Sequence, residues 1–250
     1  MKIFAISLAR ATERRTYITQ HLESLRVDYE IVEAIDGKFF TEDKLNIHCN
    51  QEQRKKLPHW LTQSSIACAL SHRLAYEKLI NSTSSMALMI EDDVILPTNI
   101  ESILNELAQT TKDCEIVLLY ATSFRKCKLV PTEIKNIYIP ENIKEPISAA
   151  AYFLTRNTAE KLYKNMYPIY VTADCWHHYI HSKWIDKIKL AYPFPVKTKN
   201  FKSSIDYLKS DTLLAKILNF INKYKIPPIY QILYLKRLRH LKQMEGRFYL

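Results

Sequence analysis

One apolar stretch that runs into three consecutive acids constrains the fold of this chain more than any other feature. Residues 86–90 are apolar, Glu91-Asp92-Asp93 follow directly, and Pro97 ends a second short apolar run. A run of this length and composition predicts a strand that is buried on both faces. Adjacent carboxylates repel one another, and burial disfavours their ionised forms. A bound divalent cation relieves both effects, because hard cations prefer carboxylate oxygens.

The acidic triplet also has a simpler interpretation, which is a solvated turn between a strand and a helix. The strongly apolar strand before it favours a ligand site, because open α/β sheets bind ligands at the carboxyl ends of their strands. The chain has only two glycines, Gly37 and Gly246, and this excludes the glycine-rich phosphate loops. A phosphate at this sheet edge must therefore be held by a metal, by side chains or by a helix amino terminus.

The order of predicted elements indicates an α/β fold with a mixed, mainly parallel sheet. A strand, a helix that begins near Thr12 and a second strand open the chain, which is typical of a parallel sheet. Residues 62–80 predict a long helix. A strand at 189–195 is interrupted by prolines, so we expect it at an edge of the sheet. Other strands are predicted at 115–120 and 148–155, with hairpin-like strands within 124–146.

The charge is concentrated in the last part of the chain. The formal net charge of the 250 residues is +10, and residues 209–250 hold nine Lys or Arg against two acids. We therefore predict a catalytic domain over 1–208 and a basic helical tail over 209–250. Five cysteines without a CxxC pair predict free thiols in a reducing compartment. No apolar run approaches the roughly 18 residues of a membrane-spanning helix, which is typical of a cytosolic protein.

The tail contains a second feature, an amphipathic pattern after Pro227-Pro228. An apolar stripe flanked by cations is typical of a helix that lies on an anionic membrane. Packing of the same helix on the catalytic domain is the alternative. The stripe consists of Ile232, Leu235, Leu238 and Leu241, and its flanks of Lys236, Arg237, Arg239 and Lys242.

Several motifs together resemble those of glycosyltransferase family 25, which includes lipooligosaccharide galactosyltransferases of Gram-negative bacteria. The resemblance covers roughly residues 1–205. It implies a GT-A-like fold with a single nucleotide-binding domain, a UDP-sugar donor such as UDP-galactose, and Mn²⁺ at the acidic motif. The motifs are Ser7-Leu-Ala-Arg10 with Glu13-Arg14-Arg15, Asp36-Gly37, Ile66-Ala-Cys-Ala-Leu-Ser-His72, Leu88-Met-Ile-Glu-Asp-Asp-Val94 and Ala150-Ala-Tyr-Phe-Leu-Thr-Arg156.

Chemistry and resemblance together give the candidate site residues. Asp93 and Glu91 are predicted to hold the metal, which acts as a Lewis acid on the departing diphosphate, with Asp92 or Glu91 at the metal or the ribose. Asp174 matches an aspartate of the family and is the predicted base for the acceptor hydroxyl in an inverting transfer. Arg10 and Arg14 are expected at uracil or phosphate, and Asp36 at the nucleoside. Further donor contacts follow from the resemblance alone, at Ser7, His72 and Ser204.

Two other classes of protein fit part of this pattern. A metal-dependent phosphoryl-transfer enzyme or nuclease would also use clustered carboxylates, but on several elements instead of one. A non-catalytic nucleic-acid-binding protein would use the basic tail, yet no known reading motif is present, so no nucleic acid is expected as a partner. The preferred hypothesis is a metal-dependent inverting glycosyltransferase that acts on a lipooligosaccharide or LPS core sugar. It would lie in the cytoplasm, peripheral on the inner face of the bacterial inner membrane.

Overall fold

The computed structural model describes residues 1–199, 201, 220, 221 and 224–250. The strand, helix and strand that the sequence predicted at the start of the chain are present. The strands are β1 (Lys2–Ser7), β2 (Tyr29–Glu33), β3 (Met86–Glu91), β4 (Val94–Ile95), β5 (Glu115–Leu118), β6 (Cys127–Pro131), β7 (Ile137–Pro140), β8 (Ala151–Thr155), β9 (Lys187–Ala191), β10 (Lys197–Thr198) and β11 (Phe248–Tyr249). The helices are α1 (Thr12–Leu25), α2 (Glu42–His48), α3 (Gln51–Lys56), α4 (Gln63–Ile80), α5 (Ile100–Thr110), α6 (Arg156–Asn165), α7 (Trp176–His181) and α8 (Ile229–Glu245).

Within the described residues, nine strands form the central sheet, in the order β11-β6-β7-β9-β5-β8-β3-β1-β2. Strands β3, β1 and β2 pair in parallel, whereas β8 and β7 run antiparallel to both of their neighbours. Seven of the nine strands therefore point in one direction. The predicted α/β class, with a mixed and mainly parallel sheet, is confirmed. The carboxyl ends of β1, β2 and β3 meet at one edge of the sheet.

One predicted strand position is wrong. The strand predicted at 189–195 was expected at an edge of the sheet. The corresponding strand, β9, lies between β5 and β7 and pairs with both. The prolines that suggested an edge, Pro193 and Pro195, follow the strand and do not interrupt it. They therefore remove no hydrogen-bond donor from the sheet.

The sheet buries a hydrophobic core on each face. Successive side chains of a strand point to opposite faces, so Phe4 and Met89 pack in the core that contains α4, and Ile3 and Leu88 in the core that contains α1 and α5. Each of these four side chains is fully buried, and burial of a side chain of this size stabilises the fold by about 1.5–3 kcal/mol. Because both faces are covered, the strand ends are the part of the sheet left open to a ligand.

The tail returns to the sheet after Pro227-Pro228. Helix α8 begins there, as predicted, and β11 pairs in parallel with β6. Within the described residues, no helix combines the length and the apolarity that crossing a membrane requires. All five cysteines are free thiols, as predicted.

Candidate active site

A cavity of about 390 Å³ opens at the sheet edge where the parallel strands end. The registers pair Ile6 with Glu91 and Ser7 with Glu33, which aligns the ends of β3, β1 and β2. Ser7 itself is buried beside the cavity, only 1% exposed. The predicted residues that line the cavity are Arg10, Arg14, Asp36, His72, Glu91, Asp92, Asp93 and Asp174. Ser204 lies outside the described residues.

The turn after β3 holds two aspartates against a positive charge. Ser7 Oγ donates a hydrogen bond of 2.8 Å to Asp92 Oδ2. The Arg14 guanidinium forms an ion pair with the other Asp92 oxygen and lies 3.1 Å from Asp93 Oδ2. Asp93 Oδ1, in contrast, is buried and has no hydrogen-bond partner among the described residues. One carboxylate oxygen at the cavity wall is thus left for a ligand.

Burial and mutual repulsion raise the pKa values of Asp92 and Asp93, as expected for adjacent acids. Burial raises the pKa of Asp93 to about 7, the charges of Glu91 and Asp92 act in the same direction, and Arg14 opposes them. Burial also raises the pKa of Asp92, against the opposing effects of Arg14 and Ser7. The acid group of Asp93 therefore needs more positive charge than Arg14 supplies if it is to be ionised at neutral pH.

Glu91 lies close to His72 of helix α4 and is also influenced by the charge of Arg14. His72 Nε2 lies 3.6 Å from Glu91 Oε1, and His72 Nδ1 lies 2.7 Å from the Tyr152 hydroxyl. Burial acts to raise the pKa of Glu91, but His72 and Arg14 outweigh it and the pKa is lowered. Cys68, one turn before His72, lines the same cavity. Neither Cys68 nor Tyr152 was predicted near Glu91 and His72, although the four-residue spacing of Cys68 and His72 indicates a shared helix face.

The turn after β2 supplies a second carboxylate. Asp36 Oδ1 accepts a hydrogen bond of 3.0 Å from Lys38 N, and Arg10 Nη2 donates to the same oxygen at 3.3 Å. The hydrogen bond from Arg10 is the main cause that lowers the pKa of Asp36. Gly37 allows this turn to touch α4, because a Cβ there would lie 2.5 Å from the Gln63 carbonyl oxygen. Asp36 is thereby fixed as an ionised group at the rim of the cavity.

Asp174 reaches the cavity from the loop before α7. Its Oδ1 accepts a hydrogen bond of 2.8 Å from Thr172 Oγ1, and its Oδ2 accepts one of 3.3 Å from Ser148 N. Ala150 N donates a hydrogen bond of 3.2 Å to Ser148 Oγ, and Glu91 N donates one of 2.9 Å to Ala150 O. This hydrogen-bonded segment connects Asp174 to the strand that carries the acidic triplet. The carboxylates of the cavity therefore come from three parts of the chain, which are the acidic triplet, the turn after β2 and the loop before α7.

The lining of the cavity also includes residues that were not predicted at the site. The Tyr120 hydroxyl donates to Glu245 Oε1 at 2.7 Å and accepts from Thr198 Oγ1 at 3.3 Å. Lys199 Nζ lies 3.9 Å from the Tyr17 ring centroid. Leu241, which the sequence pattern assigned to the membrane-facing stripe, lines the cavity instead. These contacts join segments more than 70 residues apart, so local spacing could not reveal them.

Comparison with known proteins gives a consistent result. Residues 1–177 match the sequence model of Glycosyltransferase family 25 (LPS biosynthesis protein). A candidate glycosyltransferase of Haemophilus influenzae is 27% identical over 190 residues, which cover 72% of this chain and 64% of that protein. Human procollagen galactosyltransferase 2 is 34% identical over 97 residues, which cover 37% of this chain and 16% of that protein. The match thus spans less than two thirds of either relative.

Among solved structures, one similar fold is that of a glycosyltransferase involved in the glycosylation of the major capsid of PBCV-1. The superposition covers 76% of this chain and 80% of the other. The TM-score is 0.38 at 10% identity, which is too distant a likeness to bear on function. The family match extends over most of the chain and includes the acidic triplet, the Asp36 turn and Asp174. The chain therefore belongs to glycosyltransferase family 25.

Proposed function

We propose that the protein is a divalent-cation-dependent, inverting galactosyltransferase that uses UDP-galactose and a lipooligosaccharide or LPS core sugar. The proposal depends on one observation, the convergence of Asp93, Arg14 and Asp174 on a single cavity at the strand ends. The description of the family as an LPS biosynthesis protein supports the acceptor class. The galactosyltransferase activity named for the human relative supports the donor sugar.

A divalent cation fits the acidic triplet. Asp93 offers a buried oxygen without a hydrogen-bond partner in the described part of the chain, and its raised pKa calls for further positive charge. Asp93 and Glu91 would hold Mn²⁺ or a cation of similar hardness, because carboxylate oxygens suit such ions. When bound, the cation supplies Lewis-acid stabilisation of the negative charge on the departing diphosphate.

Side chains around the triplet would orient the donor. Ser7 and Arg14 fix Asp92, so that the turn after β3 keeps its shape when the cavity fills. Arg14 adds positive charge beside the diphosphate, and positioned charges of this kind act without reorganisation during the reaction. Asp36, held ionised by Arg10, accepts a hydrogen bond from the nucleoside.

Asp174 would act as the general base. Its two oxygens are oriented by Thr172 and by the backbone of Ser148. It takes the proton from the acceptor hydroxyl while that oxygen forms a bond to the anomeric carbon, and the bond from this carbon to the diphosphate oxygen breaks. Attack on the face opposite the leaving UDP inverts the configuration. A positioned base of this kind accelerates a reaction by about 10²–10⁴-fold.

Helix α8 would hold the enzyme at the inner face of the bacterial inner membrane. Ile232 and Leu235 are 50% and 52% exposed, and Lys236 and Arg239 beside them are also exposed. Each cation close to an anionic lipid surface contributes about 1 kcal/mol to binding. Such attachment would bring the cavity to a lipid-linked acceptor.

The test is release of UDP from a panel of nucleotide sugars, with a lipooligosaccharide core oligosaccharide as acceptor, with Mn²⁺ or with EDTA. We expect UDP-galactose to be consumed in the presence of Mn²⁺ and the product to carry a β-linkage by NMR. Preference for another nucleotide sugar would overturn the assignment of the donor. An α-linked product would overturn inversion, and full activity in EDTA would overturn the role of the cation.

A further inference from the structure

We infer that Cys68, His72 and Glu91 form a binding site for a zinc-like transition metal inside the cavity. One potential ligand atom from each residue lies within 4.8 Å of the other two. Cys68 and His72 are four residues apart on α4 and so share a helix face, and Glu91 ends β3 opposite that face. The site goes beyond the proposed sugar transfer, because it needs no donor or acceptor to form.

The spacing of the three groups suits a tetrahedral metal. With metal–sulfur and metal–nitrogen distances of about 2.3 and 2.0 Å, neighbouring ligand atoms lie about 3.3–3.6 Å apart. His72 Nε2 and Glu91 Oε1 are already 3.6 Å apart. The other pairs of ligand atoms, at most 4.8 Å apart, need to approach by about 1.5 Å or less, which side-chain rotation of Cys68 or Glu91 can supply.

His72 is prepared to be a ligand. The side chain is 1% exposed, and its Nε2 has no hydrogen-bond partner within the part of the chain that the structure describes. On the other side of the ring, Nδ1 lies 2.7 Å from the Tyr152 hydroxyl, which lies 2.9 Å from that of Tyr76. If Nδ1–H donates to Tyr152 and Tyr152 donates to Tyr76, the Nε2 lone pair faces Glu91. Support of this kind from behind the ring is common at metal-binding histidines.

Glu91 is common to this site and to the proposed cation site at Asp93, but the ligand set here favours a softer metal. Thiolate and imidazole ligands select Zn²⁺ or Co²⁺, whereas carboxylates alone suit Mn²⁺ and Mg²⁺. Three protein ligands leave a fourth position toward the cavity for water or a substrate oxygen, as in catalytic zinc sites. Metal binding replaces the thiol proton of Cys68, which is released to the solvent.

The first experiment is a titration of the full chain, stripped of metal with EDTA and dialysed, with Co²⁺. We expect thiolate-to-cobalt charge-transfer absorption that saturates near a single equivalent and is displaced by Zn²⁺. Cys68→Ser should abolish this absorption, and Tyr152→Phe should weaken affinity about 10–100-fold. The matched control is Cys175→Ser, which removes a thiol that also lies near a histidine, 3.7 Å from His177 Nε2, and should change neither.

A second experiment uses the wild-type protein alone, so it does not depend on the folding of a variant. Zn²⁺ should protect Cys68 from alkylation, measured by peptide mass spectrometry, and leave the rate at Cys175 unchanged. Absorption that survives Cys68→Ser, absorption that is lost in Cys175→Ser, or unprotected Cys68 at saturating Zn²⁺ would each overturn the inference. Because both readouts detect bound metal and not sugar transfer, failure here is distinguishable from failure of the proposed function.

Discussion

At the scale of single residues, Asp93 is the group on which the proposed cation chemistry most directly depends. Asp93→Asn keeps the shape of the side chain but removes its charge, so we expect transfer to be abolished and the Mn²⁺-dependent gain in UDP affinity to be lost. The fold should persist, because the change relieves repulsion from Glu91 and Asp92. Calorimetric titration of UDP with and without Mn²⁺ measures the effect.

The matched control for this variant is Asp113→Asn. That carboxylate accepts hydrogen bonds from Thr155 and Asn157 and does not line the cavity. It should leave the effect of Mn²⁺ on UDP binding unchanged. If Asp93→Asn behaves like Asp113→Asn, the cation is held elsewhere.

Asp174 gives a second prediction at this scale. Asp174→Asn should lower kcat by about 10²–10⁴-fold, the usual contribution of a positioned base, with the KM for the donor nearly unchanged. Thr172→Val removes only one of the two hydrogen bonds that orient the carboxylate, so its loss of kcat should be smaller. Steady-state kinetics with thermal melting separates the alternatives, since a purely structural aspartate would lower the melting temperature and leave kcat close to that of the wild type.

The position of the acidic triplet could be predicted from the sequence, but the approach of Cys68 to Glu91 could not, for a physical reason. Glu91, Asp92 and Asp93 stand directly after a buried strand, so their place at the sheet edge follows from the chain itself. The approach of Cys68 to Glu91 depends on how far α4 is rotated against the sheet. Packing of two buried faces sets that rotation, and the α4 sequence, which is apolar around much of its circumference, does not specify it.

At the scale of elements, the type of an element was easier to predict than its position. β9 was correctly expected as a strand, but its place between β5 and β7 depends on partners from other parts of the chain. The same holds for α8, which was expected from its periodicity. Its apolar stripe is divided, because Leu241 lines the cavity whereas Ile232 and Leu235 are exposed.

This division of α8 determines how membrane binding should be tested. Removal of the whole helix would also remove Leu241 from the cavity lining and the contact of Glu245 with Tyr120, so a charge reversal is the sharper change. Lys236→Glu with Arg239→Glu should abolish binding to anionic vesicles at low salt and preserve transfer to a soluble acceptor. Vesicle cosedimentation measures the first effect and UDP release the second.

The control is the same charge reversal on a different surface. Lys55→Glu with Lys56→Glu alters two exposed cations of α3 and should leave vesicle binding near that of the wild type. Equal loss in both double variants would mean that net charge alone governs binding. Unchanged binding in the α8 variant would remove α8 as the membrane contact.

At the scale of the whole molecule, histidines should make stability sensitive to acid. His21 Nε2 accepts a hydrogen bond of 2.9 Å from Leu96 N, and burial lowers the pKa of His21; burial also lowers the pKa of His177 and His178. Below the usual value of about 6.5, the unfolded chain takes up protons that the folded chain does not bind. The free energy of unfolding should therefore fall as the pH falls below that value.

The contribution of His21 can be isolated with His21→Gln, because glutamine does not titrate. The melting temperature should fall less between about pH 7 and pH 5 in this variant than in the wild type. His59→Gln, a change at an exposed histidine, is the control and should show the wild-type dependence. An identical slope for His21→Gln and the wild type would contradict the prediction.

The pairing of β11 with β6 has a consequence for the order in which the site is completed during synthesis. Phe248 pairs with Cys127, and Glu245 meets Tyr120, across more than 100 residues of chain. A ribosome has therefore made every carboxylate of the cavity well before it makes Leu241 and Glu245. Contacts between such distant segments also form slowly during folding. A nascent chain would thus carry the carboxylates in a cleft that still lacks Leu241, and we expect tight donor binding only after α8 has docked.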